Sequence, residues 1–350
     1  MPKPTTGSTT SIPPPKPNEA LLPLPPTRQL HYATTGPPTS RTAILFFSGY
    51  LSIGTADHLP APLATLSPTP AHWIAPTLPG NGESSPTARG LPYHTSLVRD
   101  MCALLQHLYP AGPEAALDAL YVAGGSYGSV AAQTVYGASR EAFPWGAKVR
   151  GLLLLAPFSP FRLHDGYARE MTWANWVGVG PLSVWVPGRV VPRLASWAVW
   201  WMVRDVASAE GFMKGFVLGR MGGEERRECD AWLGRRGLTE EMWIRGMAEG
   251  AVRCVRGRQG GCRGFLEGPD VLHSDWGFDP REMEGRAPVL VVGADEDDLG
   301  LGMCRWLRDS YPEARLKVIQ GGHVAAIWKM DEIWEEMLEM ASRNHGPEVA

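Results

Sequence analysis

Six short, mostly apolar runs recur along the chain and predict the strands of a buried sheet. Each run is four to six residues long, and together they occupy positions 42–47, 72–75, 119–123, 151–156, 288–292 and 315–319. Apolar runs of this length are typical of strands that are covered on both faces. Because helix-compatible stretches such as 129–138 follow them, the pattern predicts an α/β fold with a doubly wound, mostly parallel sheet.

The segment 158–276 interrupts this alternation, because no run in it has the pattern of a buried parallel strand. A small helical layer needs large side chains to bury enough surface. We therefore interpret most of the tryptophans here as packing inside an inserted layer or against the sheet. The segment carries nine of the 14 tryptophans, namely Trp173, Trp176, Trp185, Trp197, Trp200, Trp201, Trp232, Trp243 and Trp276.

Two stretches of this segment allow more than one interpretation. The most apolar stretch, 194–203, is bounded by Arg193 and Arg204 and is too short to cross a bilayer, which needs about 20 residues. We expect a buried helix there, with contact to a lipid surface as the alternative. The arginine-rich stretch 253–263 has acids close by, so we interpret it as a solvated loop in preference to a site for an anionic substrate.

The first indication of chemistry is the sequence GGSYG from Gly124 to Gly128, which joins the run 119–123 to the helix-compatible stretch 129–138. A G-x-S-x-G turn between a strand and a helix is typical of a nucleophile elbow. Glycines on either side remove clashes, and the serine hydroxyl is held clear of the sheet. The pattern predicts that Ser126 attacks a carbonyl carbon.

A second glycine-rich segment follows the run 72–75 and reads LPGNGESS from Leu78 to Ser85. It resembles the D-x-P-G-x-G-x-S loop of the α/β-hydrolase superfamily. Together with the serine turn, this resemblance covers the N-terminal half of the catalytic domain. It implies a catalytic core formed by 29–157 and 277–345, with 158–276 as a helical cap over the serine.

The resemblance also implies a triad in the chain order serine, acid, histidine. His323 follows the last of the six runs and two glycines, and we expect it to act as the general base. The acid should follow the fifth run, where four carboxylates stand in a row. We expect Asp297 to orient the histidine, with Glu296 and then Asp295 as alternatives.

The family's oxyanion hole is formed by two backbone N–H groups. The resemblance assigns one of them to Tyr127, directly after the serine, and the other to Tyr50 in the turn after the first run. That turn has Ser48 and Gly49 where the family commonly has histidine and glycine.

The expected activity is that of a serine hydrolase, carboxylesterase-like, which cleaves an ester, thioester or amide bond, or an activated C–C bond, of a largely apolar small molecule through an acyl-enzyme. No cofactor is implied. An acyltransferase with the same triad and a binding protein without turnover are the alternatives.

Composition agrees with this class and excludes others. With 350 residues and 44% hydrophobic content, the chain can bury a large core and still carry an insertion. A net charge of −3 provides no basic field for nucleic acid, and no cysteine–histidine spacing indicates a metal. The five scattered cysteines favour reduced thiols and a cytoplasmic location.

The Pro- and Thr-rich residues 1–28 predict a disordered tail, with neither a signal peptide nor an integral membrane segment.

Overall fold

The computed structural model describes residues 12–259 and 262–343, which fold around an eight-stranded sheet. The sheet order is β1-β2-β4-β3-β5-β6-β7-β8, in which β3 to β8 are parallel and β2 is antiparallel to both neighbours. Each of the six predicted runs overlaps one of the strands β3 to β8, so the predicted mostly parallel sheet is confirmed. The strands are β1 (Glu19–Leu24), β2 (Arg28–Thr35), β3 (Thr42–Phe47), β4 (His72–Pro76), β5 (Ala119–Gly125), β6 (Val149–Leu155), β7 (Val289–Ala294) and β8 (Ala314–Ile319).

Helices connect the strands and form the inserted segment. Within the described residues, no helix is long and apolar enough to cross a lipid bilayer. The helices are α1 (Ala61–Ala64), α2 (Tyr93–Leu108), α3 (Pro113–Ala116), α4 (Gly128–Gly137), α5 (Trp173–Gly178), α6 (Leu182–Trp185), α7 (Val190–Met202), α8 (Val206–Leu218), α9 (Gly223–Arg235), α10 (Glu240–Arg256), α11 (Arg263–His273), α12 (Gly302–Ser310) and α13 (Met330–Arg343).

Helices cover both faces of the sheet, as the doubly wound prediction requires. Helices α2, α4 and α12 pack on one face, and α1 and α13 pack on the other. Alternate residues of β3 point into the two layers, so that Leu45 belongs to the first and Ile44 to the second, and both are fully buried. This double coverage explains why the parallel strands read as apolar runs without polar alternation.

The prediction of a disordered tail over 1–28 is wrong for its second half, while residues 1–11 lie outside the described residues. Strand β1 pairs with β2 and forms the edge of the sheet. Its Leu22 and Leu24 are buried, and Pro23 is tolerated because an edge strand has one side without ladder bonds. The sheet domain therefore begins before residue 29.

The segment between β6 and β7 contains seven helices, α5 to α11, and its described residues include no strand. The prediction of a solvated loop over 253–263 is wrong for its first part, because residues 253–256 end α10 and Arg253 is buried, while residues 260 and 261 lie outside the described residues. The Nη1 of Arg253 donates to Glu19 Oε1 at 2.7 Å. A carboxylate from the distant strand β1 thus stabilises this arginine inside the protein, and no local sequence pattern indicates that partner.

The predicted packing of the tryptophans is correct for some and wrong for others. Trp232 and Trp276 are buried. Helix α7 is not the buried helix expected over 194–203, because only one side of it, with Val199 and Val203, packs against α8 and α10. Five tryptophans have exposed fractions between 45% and 73%, namely Trp173, Trp185, Trp197, Trp200 and Trp201.

Candidate active site

The serine turn has the strained geometry of a nucleophile elbow. Ser126 lies between β5 and α4 with a φ of 51°, which is unusual for a residue other than glycine. A Cβ at Gly124 would lie 2.4 Å from the carbonyl oxygen of Gly128, and one at Gly128 would lie 2.1 Å from that of Phe47. Only glycine fits at these two positions, so this sharp turn can form only with glycines at 124 and 128.

Three predicted site residues come together in one hydrogen-bonded chain. His323 Nε2 lies 2.9 Å from Ser126 Oγ, and His323 Nδ1 lies 2.9 Å and 3.0 Å from the two carboxylate oxygens of Asp297. The loops after β7 and β8 supply the acid and the histidine, and these strands are parallel neighbours. Because the carboxyl ends of parallel strands lie at the same end of a sheet, residues distant in sequence meet beside the carboxyl end of β5.

Of the three candidate acids, only Asp297 reaches the histidine. Its side chain is 3% exposed, whereas Asp295 and Glu296 are both exposed. The carboxylate of Asp295 instead accepts a hydrogen bond from the N–H of Gly321 at 2.8 Å. Asp295 therefore holds the loop that carries the histidine, and Asp297 contacts the ring.

The electrostatics of the site make the imidazole of His323 more basic. Burial acts to lower the pKa of His323, but the hydrogen bond and charge of Asp297, with a smaller contribution from Asp298, outweigh it and raise the pKa above its usual value. The N–H of Leu299 donates to Asp297 Oδ1 at 2.8 Å, which fixes the carboxylate. An imidazole held in this way can accept a proton from Ser126 and form a stabilised imidazolium.

The two tyrosines predicted for the oxyanion hole lie beside the serine. Tyr127 follows Ser126 directly and is the residue before α4, at a helix start where N–H groups lack carbonyl partners within the helix. A Cβ at Gly49 would lie 3.0 Å from Ser126 Cβ, so the turn that carries Tyr50 approaches the serine closely. The rings of Tyr50 and Tyr127 stack with centroids 4.1 Å apart.

Helix α11 packs against this tyrosine pair. The ring of Phe265 meets that of Tyr50 edge to face at 5.2 Å. A Cβ at Gly268 would lie 2.0 Å from the Tyr50 hydroxyl oxygen, so only glycine allows α11 to come this close. The inserted segment therefore reaches the immediate surroundings of the serine.

The sequence did not indicate that the inserted segment also holds the loops that carry Asp297 and His323. The N–H of Thr172 donates to the carbonyl oxygen of Asp298 at 3.0 Å, and Arg220 forms an ion pair with the Asp298 carboxylate. Glu225, which is buried in α9, accepts a hydrogen bond from the N–H of Gly322 at 2.9 Å. These contacts involve residues next to the acid and next to the histidine, and they join parts of the chain that are distant in sequence.

Known structures share this architecture, although no family model and no curated protein matches the sequence. A bromoperoxidase from Bacillus anthracis has a TM-score of 0.56 and 14% sequence identity, covering 92% of this chain and 99% of its own. An esterase from a Rhodococcus species has a TM-score of 0.56 and 15% identity, covering 93% and 99%. An α/β-hydrolase enzyme from a deep-sea metagenome library has a TM-score of 0.53 and 14% identity, covering 92% and 96%. With such neighbours, and with the sheet order and serine turn described above, the chain has the fold of the α/β-hydrolase superfamily.

Proposed function

We propose that the protein is a serine hydrolase that cleaves an ester bond of a largely apolar small molecule through an acyl-enzyme. The observation that carries this proposal is the hydrogen-bonded chain from Ser126 through His323 to Asp297. A fold alone does not determine an activity. A serine, an imidazole and a carboxylate at hydrogen-bonding distance, in this order, are the parts that acyl transfer requires.

In the first half of the reaction, Ser126 Oγ attacks the carbonyl carbon while its proton moves to His323 Nε2. The carbonyl oxygen becomes an oxyanion, and the N–H groups of Tyr127 and Tyr50 are the proposed donors to it. When the tetrahedral intermediate collapses, the C–O bond to the leaving group breaks. His323 returns the proton to the departing alcohol, and the acyl group remains on Ser126.

In the second half, water attacks the acyl-enzyme and gives a proton to His323. Collapse of the second intermediate releases a carboxylic acid and restores the Ser126 hydroxyl. The role of Asp297 in both halves is to hold the tautomer of His323 and to stabilise the imidazolium. The same steps apply to a thioester or an amide, and only the leaving group differs.

The surroundings of the serine support a substrate with apolar groups. The rings of Tyr50, Tyr127 and Phe265 form a continuous aromatic cluster next to it. We propose that the segment 158–276 is a cap over this site, because α11 contacts Tyr50 and Glu225 contacts the histidine loop.

Steady-state hydrolysis of p-nitrophenyl esters of increasing acyl length tests the proposal. We expect measurable kcat/KM for the native protein and a loss of about ten-thousand-fold or more in Ser126→Ala, with an unchanged melting temperature. Ser342→Ala, on the exposed side of α13, is the control and should retain full activity. Equal hydrolysis by the native protein and Ser126→Ala would rule out the proposed nucleophile.

A further inference from the structure

Helix α7 places its largest apolar side chains on the outside. Positions 190, 193, 194, 197, 201 and 204 recur at helical spacing and are all exposed, whereas the opposite side, with Pro192, Ser196, Val199 and Val203, is buried. We define the tryptophan face as Val190, Leu194, Trp197, Trp200 and Trp201, whose exposed fractions lie between 45% and 63%. Contiguous exposed apolar surface of this kind is uncommon on monomers and indicates an interaction site.

Helices α5 and α6 add two more exposed tryptophans beside α7, which they contact. Trp173 and Trp185 are 73% and 68% exposed. Both rings pack on Trp176, at centroid distances of 5.2 Å and 5.9 Å, so the pair is held in place and not free to fold away. The apolar surface therefore extends beyond a single helix.

The charged side chains of residues 172–204 are all arginines. Residues 172–204 contain no aspartate or glutamate and three arginines. Within the described residues, Arg189 and Arg204 pair with Asp270 and Asp205, and Arg193, on the exposed stripe, pairs with no carboxylate. Arg204 also lies over the ring of Trp201 at 4.8 Å, so cationic groups and indole rings are interleaved.

This combination fits a lipid surface better than a second copy of the chain. A symmetric contact would bring the same patch together from both subunits, and it would place two copies of Arg193, which pairs with no carboxylate within the described residues, in one apolar interface. Indole rings prefer the level of lipid headgroups, and arginines bind their phosphates. A helix of 13 residues is about 20 Å long, so α7 can lie in the headgroup layer but cannot cross the bilayer.

We propose that the tryptophan face docks the protein on an anionic phospholipid surface. The helix lies in the plane of the surface, the indole rings enter the headgroup layer, and Arg193 contacts lipid phosphates. This inference goes beyond the hydrolase proposal and does not depend on it, because no residue of the tryptophan face belongs to the candidate active site.

Vesicle flotation of the full chain tests the inference. We expect the native protein to float with phosphatidylcholine vesicles that contain phosphatidylglycerol, and less with phosphatidylcholine alone. The double variant Trp197→Ser/Trp201→Ser should partition to these vesicles at least about tenfold less than the native protein. The matched control Phe216→Ser/Met242→Ser changes residues that are 50% and 55% exposed elsewhere on the inserted segment, and should float like the native protein.

Two further variants keep the test decisive. Arg193→Glu, at an exposed position, should lower partitioning to anionic vesicles by about fivefold even if the tryptophan variant fails to fold. Ser126→Ala should float unchanged, which separates docking from catalysis. Absence of the native protein from the vesicle fraction, or equal flotation of the native, tryptophan and Arg193 proteins, would overturn the inference. So would sedimentation showing a dimer that Trp197→Ser/Trp201→Ser dissociates, without binding to vesicles.

Discussion

Two regions of the molecule differ in whether their side chains find partners: the carboxyl end of the parallel strands, where Ser126 lies, and the outer side of α7. At the carboxyl end of the strands, Asp297 is 3% exposed and accepts hydrogen bonds from His323 and from a backbone N–H. On the outer side of α7, Trp197 is 63% exposed, and the described residues do not cover it. The groups of the first region are paired with one another, whereas the second has exposed apolar surface for which we propose a lipid partner.

The inner side of the inserted segment connects these two regions. Glu225 holds the histidine loop through Gly322, and Arg253 holds strand β1 through Glu19. The same helices therefore have a side that is fixed to the sheet domain and a side that faces outward. This comparison predicts large effects on activity from changes at the carboxyl end of the strands. It predicts intermediate effects on activity or stability from changes at the inner contacts, and no effect on turnover of a soluble ester from changes on α7.

The largest effect is expected from removing the charge at Asp297. Asp297→Asn should lower kcat by about ten-thousand-fold, because the amide no longer holds the required tautomer of His323 or stabilises its charged form. Glu296→Gln is the matched control, since Glu296 is exposed, and it should stay near native activity. The reverse outcome, with Glu296→Gln inactive and Asp297→Asn active, would place the acid one residue earlier.

The pH dependence of kcat/KM sharpens the same assignment. Only unprotonated His323 accepts the serine proton, so activity should be lost as the pH falls through its pKa, and the raised pKa places this loss at a higher pH than for an ordinary histidine. In Asp297→Asn, burial remains and the carboxylate charge is gone. The pKa of His323 should then fall, and the residual activity should persist to lower pH. A pH profile identical to that of the native protein would contradict the contact.

An intermediate effect is expected at the inner contact between α10 and β1. Glu19 has a side chain that is 2% exposed and lies between Arg253 and His31. Glu19→Ala leaves Arg253 buried without its partner, so the free energy of unfolding should fall by about 3 kcal/mol. The control Glu114→Ala removes a carboxylate that is 77% exposed, and chemical denaturation should show a change of less than about 1 kcal/mol.

The stability contributed by Glu19 should also depend on pH. Burial acts to raise its pKa, but the hydrogen bonds and charges of Arg253 and His31 outweigh burial and lower the pKa from 4.5 to about 2. A lowered pKa in the folded state stabilises the protein above the unfolded value of 4.5, and this stabilisation is lost as the pH falls towards 2. The difference in unfolding free energy between the native protein and Glu19→Gln should therefore shrink over that range. A difference in unfolding free energy that stays constant with pH would contradict the lowered pKa of Glu19.

A smaller effect is expected at the second inner contact, where α9 meets the histidine loop. Glu225→Ala removes the acceptor for the Gly322 N–H, one residue before His323, and a small displacement of the ring should lower kcat about tenfold with little change in KM. Glu225→Gln keeps a side-chain oxygen and should retain most of the activity. The neighbouring Glu224 is exposed, and Glu224→Ala should behave like the native protein. Loss of activity in Glu224→Ala but not in Glu225→Ala would show that the buried contact is not the one that matters.

The sequence predicted the parts of the molecule that depend on local patterns. The six apolar runs follow from double coverage of the sheet, and the serine turn follows from close backbone approaches that only Gly124 and Gly128 allow. Four adjacent carboxylates left the acid open, because spacing alone does not show which side chain turns towards the ring.

Features that depend on distant contacts were not predictable in this way. The composition of 1–28 hid strand β1, whose buried Leu22 and Leu24 are stabilised by pairing with β2. The contacts of Glu225 and Arg253 have no sequence motif. In α7, tryptophans occupy the exposed side while smaller residues such as Ser196 and Val199 are buried, so the buried helix expected over 194–203 from its apolar composition was wrong.

Labelling with a fluorophosphonate, followed by peptide mass spectrometry, tests the activated serine most directly. The reagent reacts with serines whose hydroxyl is activated by a neighbouring base. We expect one adduct per chain on the peptide that contains Ser126, no adduct in Ser126→Ala, and much slower labelling in Asp297→Asn. A folded protein that is not labelled, or that is labelled equally in Ser126→Ala, would contradict the assignment of Ser126 as the nucleophile.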